Sequence, residues 1–166
     1  MEPSENEPPW LDDAEMDAWL ALTTMLIRLP AALDAQLRRD AAISHFEYMV
    51  LATLSDTDGA ELPMSRLAAL ADGSLSRLSH CVKRLEDAGW VRRSQHPTNG
   101  RVTMAALTPA GRDKVEHTAP GHVRAVRDHV FEPLSDRQVI ELRRIAQRIN
   151  ATIPAELGPP TPPPPP

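Results

Sequence analysis

The chain has a single cysteine, Cys81, and only 4% aromatic residues. One thiol cannot form an intramolecular disulfide, so a disulfide-stabilised fold is excluded. Cys81 lies at the edge of an apolar helical stripe, which favours a small buried residue over a redox sensor. Scarce aromatics combined with abundant Ala and Leu favour helices over a large sheet.

Targeting features are also missing from the sequence. The first ten residues are acidic and rich in proline, which is unlike a signal peptide. No apolar run is expected to approach the roughly 18–20 residues that span a bilayer. We therefore expect a cytoplasmic protein with no membrane partner. The 166 residues fit one domain, or one domain with an added dimerisation element.

Negative charge dominates the chain but not its middle. The formal net charge is −5, and residues 1–60 carry three Arg against twelve acidic residues. Residues 61–103 carry seven basic against four acidic residues, a net charge of +3. Because phosphate contacts are local, a basic patch on an acidic body is compatible with DNA binding.

The basic segment has the pattern of a recognition helix followed by a wing. Helical spacing places Leu75, Leu78, Val82 and Leu85 on one apolar stripe. The opposite face carries hydroxyls, an imidazole and cations, which suit a major groove. Gly89 ends the helix, and a basic strand follows. Ten residues are candidate DNA contacts: Arg66, Ser74, Ser76, Arg77, Ser79, His80, Lys83, Arg84, Arg93 and Arg101.

Position along the helix divides these candidates. Ser76, Arg77 and His80 lie near its N-terminus and are expected at base edges, whereas Lys83 and Arg84 are expected at phosphates. Ser74 also fits an N-cap. The alternative for the whole set is an ordinary solvated helix face.

Four further helices are predicted around this segment. The first runs from Asp12 to about Asp40, with a kink or break expected at Pro30. The second begins at Ser44 with a capping box and buries Met49, Val50, Leu51 and Leu54. Two more helices follow the wing: one starts at Thr108–Pro109 with a bend at residues 120–121, and one spans about 136–153.

A short positioning helix and the wing complete the prediction. The helix covers about residues 64–71 and buries Leu67 and Leu70. Strands are predicted over 91–95 and 102–107, joined by a tip over 96–100. There Asn99 and Gly100 are expected to supply positive φ angles.

Three stretches resemble the multiple antibiotic resistance regulator (MarR) family, and the resemblance covers about residues 12–153. They are residues 64–68, residues 76–93, and an Asn99–Arg101 segment followed at the family's spacing by Leu107-Thr108 and Gly111. The family commonly has Asp where this chain has Asn99. Because Asn is neutral, Arg101 is expected to be held less firmly than in the family.

The resemblance implies a mainly α fold with a small two-stranded β wing. Its expected parts are a disordered segment (1–11), an N-terminal dimerisation helix region (12–43), a winged helix-turn-helix domain (44–107), C-terminal dimerisation helices (108–153) and a disordered proline-rich tail (154–166). It further implies a homodimer on double-stranded DNA, with two lobes on successive major grooves of a pseudopalindromic operator. Arg101 would enter the flanking minor groove.

The resemblance also implies a small-molecule effector, phenolic or anionic. Candidate contacts are Trp19, Met25, Arg28, His45, Tyr48, Met49 and Met104, although Trp, Met and Tyr at helical spacing are usually core. No cofactor is expected, and the histidine spacing is not diagnostic of a metal site.

These features predict a ligand-responsive transcriptional repressor rather than an activator. An enzyme is disfavoured because no nucleophile elbow, phosphate loop or metal-hydrolase spacing is present. Two alternatives stay open: a winged-helix module that binds protein, and a constitutive DNA-binding protein without an effector.

Overall fold

The computed structural model describes residues 8–71 and 73–154. Residues 1–7 of the expected disordered segment and residues 155–166 of the proline-rich tail lie outside this range. The helices are α1 (Asp13–Ala41), α2 (His45–Ser55), α3 (Met64–Leu70), α4 (Leu75–Asp87), α5 (Pro109–Val126) and α6 (Asp136–Asn150), and the strands are β1 (Glu61–Pro63), β2 (Val91–His96) and β3 (Asn99–Leu107). The chain divides into two compact units, and the division falls within α1 after residue 32.

The first unit is the N-terminal part of α1. Asp12 begins the helix: its Oδ1 accepts from the Glu15 N–H at 2.8 Å, and Glu15 Oε2 accepts from the Asp12 N–H at 3.0 Å. Large apolar side chains of this unit are exposed, among them Trp19, Leu20, Leu26 and Ile27. The helix continues through Pro30, so it is not divided there. Of the two effects expected of Pro30, the break is wrong and the kink stays a prediction.

α1 also contradicts a second expectation. An 18-residue stretch of it has a mean hydropathy of 1.3 and at most two charged residues. By length and composition alone the helix could cross a membrane, although the core helix of a soluble protein passes the same test. The expectation that no segment is long and apolar enough is therefore wrong.

The core of the second unit lies among α2, α3, α4 and the sheet. Its fully buried side chains include Leu37, Val50, Leu51, Leu54, Leu67, Leu78, Val82, Leu85 and Cys81. Burial of Cys81, which raises the pKa of its thiol to about 12, confirms the structural role expected for it.

Two residues expected in this core are exposed, and a third packs against it without being fully buried. Met49 is 37% exposed and Tyr48 is buried instead. Successive helical residues are rotated by about 100°, and the buried residues of α2 centre on the face opposite Met49. Leu75, the first residue of α4, is 54% exposed and borders a surface cleft. Leu70, at the end of α3, is only partly buried.

The wing sheet has three antiparallel strands in the order β1-β3-β2, one more than predicted. β1 pairs Glu61 with Ala106 and Pro63 with Met104. It is only three residues long and ends in proline, so it shows no alternating pattern.

The turn of the wing also differs from the prediction. The register shifts between Gln95 and His96, and His96 pairs with Asn99, so the chain reverses at Pro97 and Thr98. Proline fixes its φ near −65°, and Gly100 does not adopt a positive φ. The expected Asn-Gly turn is therefore wrong.

The predicted helix ends are confirmed at four places. Ser44 and Glu47 form the capping box of α2, and Ser74 and Thr108 cap α4 and α5. Gly89 has a φ of +78° after α4, as its stop role requires. The bend expected at residues 120–121 does not interrupt α5, which continues into a π-helical turn over Arg127–Phe131. α6 ends at Asn150, three residues before the prediction, and buries none of its residues.

Candidate nucleic-acid interface

The exposed face of α4 carries the polar residues that the sequence places there. Leu78, Cys81, Val82 and Leu85 are buried and fix the rotation of the helix about its axis. Ser76, Ser79 and His80 consequently point outward with Arg77. The predicted division of α4 into a buried and a polar face is confirmed, with Leu75 as the exception.

Arg77 stacks on an aromatic ring of α2. Its guanidinium carbon lies 4.0 Å from the ring centroid of Phe46 in α2. The Arg77 N–H donates to Ser74 Oγ at 3.2 Å, so both the backbone and the side chain of this residue are held. A cation over an aromatic face is attracted by the quadrupole of the ring.

Arg84 is paired with the capping box of α2. Its Nε donates to Glu47 Oε1 at 2.8 Å, and the other Glu47 oxygen accepts from the Ser44 N–H and Oγ, each at 2.8 Å. Burial raises the pKa of Glu47, but these hydrogen bonds outweigh burial and the net pKa is lowered. Glu47 therefore joins α4 to α2.

Two other candidate cations have acidic partners within α4. Lys83 Nζ lies 3.3 Å from Asp87 Oδ2, an exposed pair one helical turn apart. Arg93 donates to Glu86 Oε2 through Nε at 2.9 Å and Nη2 at 2.6 Å, and its N–H donates to Oε1 at 3.0 Å. The Arg93 hydrogen bonds lower the pKa of Glu86. Arg93 thus fastens the start of the wing to the end of α4.

Arg101 is exposed on β3, near the tip of the wing. Asn99 Oδ1 accepts from the Arg101 backbone N–H at 3.2 Å, so this Asn orders the backbone of Arg101. No acidic group pairs with the Arg101 or Arg77 guanidinium among residues 8–71 and 73–154.

A cleft of about 310 Å³ separates the start of α4 from the wing. It brings Ser79, Arg93 and Arg101 together, and its full lining is Met64, Ser65, Leu75, Ser79, Arg93, Arg101, Val102 and Thr103. Arg66, on α3, is exposed but does not line it. Sequence reasoning missed Ser65 and Leu75 here, although both lie beside predicted contacts.

Two of the candidate effector contacts, His45 and Tyr48, lie against His122, a residue that the sequence did not single out for this role. The rings of His45 and Tyr48 lie 5.9 and 4.6 Å from the ring of His122 in α5. His122 Nδ1 is 3.4 Å from Oε1 of the buried Gln36. Burial lowers the pKa of both His45 and His122, so both imidazoles favour the neutral form.

The other effector candidates are not joined to this cluster by ring or hydrogen-bond contacts in the described parts of the chain. Trp19, Met25 and Arg28 are exposed on the first unit. Met49 faces outward from α2, and Met104 is half-buried on β3 between Pro63 and Ser94.

Comparison with known proteins decides the family. Residues 43–103 match the sequence profile of the MarR family. The HTH-type transcriptional regulator PecS of Dickeya dadantii is 30% identical over 147 residues, which cover 87% of each chain. The MarR family regulator Sco3205 of Streptomyces coelicolor, solved in complex with DNA, is 39% identical, with a TM-score of 0.85 over 90% of this chain and 93% of that one. The chain belongs to the MarR family.

A second solved regulator agrees with this assignment. AbsC, a MarR family transcriptional regulator from Streptomyces coelicolor, is 32% identical, with a TM-score of 0.78 over 86% of this chain and 99% of that one. MarR proteins are transcriptional regulators with a winged helix, and this chain is one of them rather than an enzyme.

The MarR motif that follows the wing has a structural explanation in this chain. Thr108 Oγ1 donates to Gly89 O at 2.7 Å and accepts from the Gly111 N–H at 3.0 Å. A Cβ at Gly111 would lie 2.1 Å from Trp90 O. The Thr and the Gly therefore fasten the start of α5 to the loop between α4 and β2.

Proposed function

We propose that this MarR regulator is a cytoplasmic homodimer that represses transcription by binding a pseudopalindromic operator and responds to a small-molecule effector. The observation that carries the DNA part is the outward face of α4, with Ser76, Arg77 and His80, beside a cleft that ends in Arg101. Sco3205, which has the same fold and is 39% identical, is bound to DNA in its crystal.

The candidate DNA contacts are assigned distinct tasks. Ser76, Arg77 and His80 contact base edges because they lie near the N-terminus of the recognition helix. Ser74, Ser79 and Arg66 contact backbone oxygens, and Arg101 enters the minor groove. The phosphate contacts are assigned to Lys83, Arg84 and Arg93. Each of them uses the N–H groups that its carboxylate partner does not occupy.

Binding to DNA from immediately upstream of the coding sequence, compared with a scrambled duplex at two salt concentrations, tests this proposal. We expect tighter binding to the upstream DNA and a steep loss of affinity with salt. Arg77→Ala should lower specific affinity by about 1–3 kcal/mol and affect the scrambled duplex much less. No binding to either duplex at low salt would refute the DNA-binding role and favour a protein-binding winged helix.

The homodimer is supported by apolar surface at both ends of the chain. In α6, Ile140, Ile145 and Ile149 are exposed, and α1 exposes Trp19 and Leu20. Exposed apolar patches of this kind mark association surfaces. Light scattering in detergent-free buffer should give twice the chain mass, and Ile145→Asp should yield monomer. Recovery of the wild type only from membranes would instead indicate that α1 inserts in a bilayer.

The proposed effector site centres on His45 and Tyr48 and includes His122, because its ring lies against both of theirs. A neutral imidazole has one donor and one acceptor nitrogen, and a tyrosine hydroxyl can do both, so these groups can hydrogen-bond a phenolic or anionic ligand. Trp19, Met25, Arg28, Met49 and Met104 remain candidate contacts. A screen of phenolic acids for release of operator DNA tests the site, and Tyr48→Phe should weaken the response. A protein that no compound releases would be the constitutive form.

A further inference from the structure

We propose that Phe46 is a positioning residue for DNA recognition: its ring, seated against Gly73, holds the Arg77 guanidinium in place before DNA arrives. The inference rests on the proposed role of Arg77 at a base edge. It assigns a recognition task to a half-buried aromatic residue on α2, whose helix does not itself present residues to the groove in the proposed arrangement.

The first observation is the stack itself. The guanidinium carbon of Arg77 lies 4.0 Å from the centroid of the Phe46 ring, well within the range of a cation–π contact. Arg77 is exposed, and no carboxylate within residues 8–71 and 73–154 pairs with it. Within those residues, the Phe46 ring is the contact that restrains this long side chain.

The second observation concerns the edge of the ring. A Cβ built at Gly73 would lie 2.6 Å from Phe46 Cζ and 2.8 Å from Cε2. The absence of a side chain at Gly73, next to the N-cap of α4, thus leaves the space that the ring occupies. The ring is wedged between the chain before the recognition helix and the guanidinium of that helix.

Restraint of a free arginine matters for affinity. A long side chain that is mobile before binding loses rotamer freedom when it docks, and this loss weakens the complex. Stacking leaves the guanidinium N–H groups, which lie in its plane, available to a base while it limits the rotamers of Arg77. Phe46 therefore orders the Arg77 side chain when the protein folds. Less rotamer freedom of Arg77 is then lost when DNA binds.

A double-mutant cycle on the full-length protein tests this proposal. Phe46→Leu should weaken binding to the specific duplex about two- to fivefold, the factor that corresponds to an exposed cation–π contact, with little change on scrambled DNA. In an Arg77→Ala background the same substitution should have no further effect. Gly73→Ala leaves both partners intact but displaces the ring, and it should reproduce the loss seen with Phe46→Leu.

The outcomes separate this inference from the proposed function. An Arg77→Ala variant that binds like the wild type would refute the role of Arg77 itself. If Arg77 matters, but Phe46→Leu weakens binding equally with and without Arg77, Phe46 acts only on the fold and the inference is wrong. Tighter specific binding by Phe46→Leu would also overturn it, because the stack would then hold Arg77 away from DNA.

Discussion

Glu47 makes two contacts at once: it completes the capping box of α2, and it pairs with Arg84 of α4. One of its oxygens accepts from the Ser44 N–H and Oγ, and the other accepts from Arg84 at 2.8 Å. The Glu47 side chain is 13% exposed, whereas that of Arg84 is 60% exposed. Glu47→Ala therefore removes the acceptor for the Ser44 N–H and Oγ and a mostly solvated ion pair in one step, while the N-cap bond from the residue-47 N–H to Ser44 Oγ is kept.

The expected cost follows from these two contacts. Loss of the hydrogen bonding that Glu47 gives to Ser44 costs about 1 kcal/mol, the typical net value of an intramolecular hydrogen bond. An ion pair with one solvated partner contributes about 0.5 kcal/mol. We expect Glu47→Ala to lower the free energy of unfolding by about 1.5 kcal/mol, the sum of these terms. Glu47→Gln keeps the capping acceptor and should lose only the smaller part.

The chain offers a matched control on another helix. Gln138 forms the same capping box on α6, where its Oε1 accepts from the Ser135 N–H and Oγ, each at 2.9 Å. It has no hydrogen bond to another helix within the described residues. Gln138→Ala should therefore cost less than Glu47→Ala by about the value of the Arg84 pair.

Urea unfolding at one fixed protomer concentration measures these differences, since association would otherwise shift the apparent stability. A cycle with Arg84→Ala should give a coupling of about 0.5 kcal/mol to Glu47. Equal losses for Glu47→Ala and Gln138→Ala, or zero coupling to Arg84, would refute the reasoning that Glu47 ties α4 to α2.

Three other predictions test separate parts of the structure. Arg101→Ala should weaken operator binding most where the flank is A·T-rich, and equal losses on G·C-rich flanks in a binding titration would contradict the minor-groove role. Gly111→Ala should lower the free energy of unfolding in urea by more than about 3 kcal/mol, because its Cβ would lie 2.1 Å from Trp90 O and the backbone would have to move. Ala110→Gly, at an exposed position, is the control and should lower it by about 1 kcal/mol. Burial lowers the pKa of His45 and His122, so their contribution to stability is complete above the ordinary pKa of 6.5 and falls as pH drops below it. His122→Gln should reduce the loss of unfolding free energy between about pH 7.5 and 5.5, and an unchanged loss would exclude His122 as its source.

Much of the fold was predictable because it depends on patterns among residues close together in the sequence. The caps at Ser44, Ser74 and Thr108 depend on residues three positions apart, and the stripe of α4 depends on helical spacing. Such patterns need no knowledge of distant contacts. The prediction missed β1 because this three-residue strand depends on a distant contact, its pairing with β3.

The site was predictable in composition but not in its connections. The exposed face of α4 follows from the sequence, yet the contact of Glu47 with Arg84 spans 37 positions and that of Gln36 with His122 spans 86. No periodic pattern encodes pairs so far apart. His122 was accordingly missed as a neighbour of His45 and Tyr48, since only packing of α5 against α2 brings them together.

Ion pairs within the protein reduce the positive charge that the basic segment can offer to DNA. The net charge of +3 over residues 61–103 includes Lys83, Arg84 and Arg93. All three lie against carboxylates in the described structure, and two of those carboxylates belong to the same segment. A cation already paired with a carboxylate releases fewer DNA counterions when it meets a phosphate. The salt dependence of binding should thus respond more to the loss of Arg101 than to the loss of Lys83, although sequence alone ranks the two charges as equal.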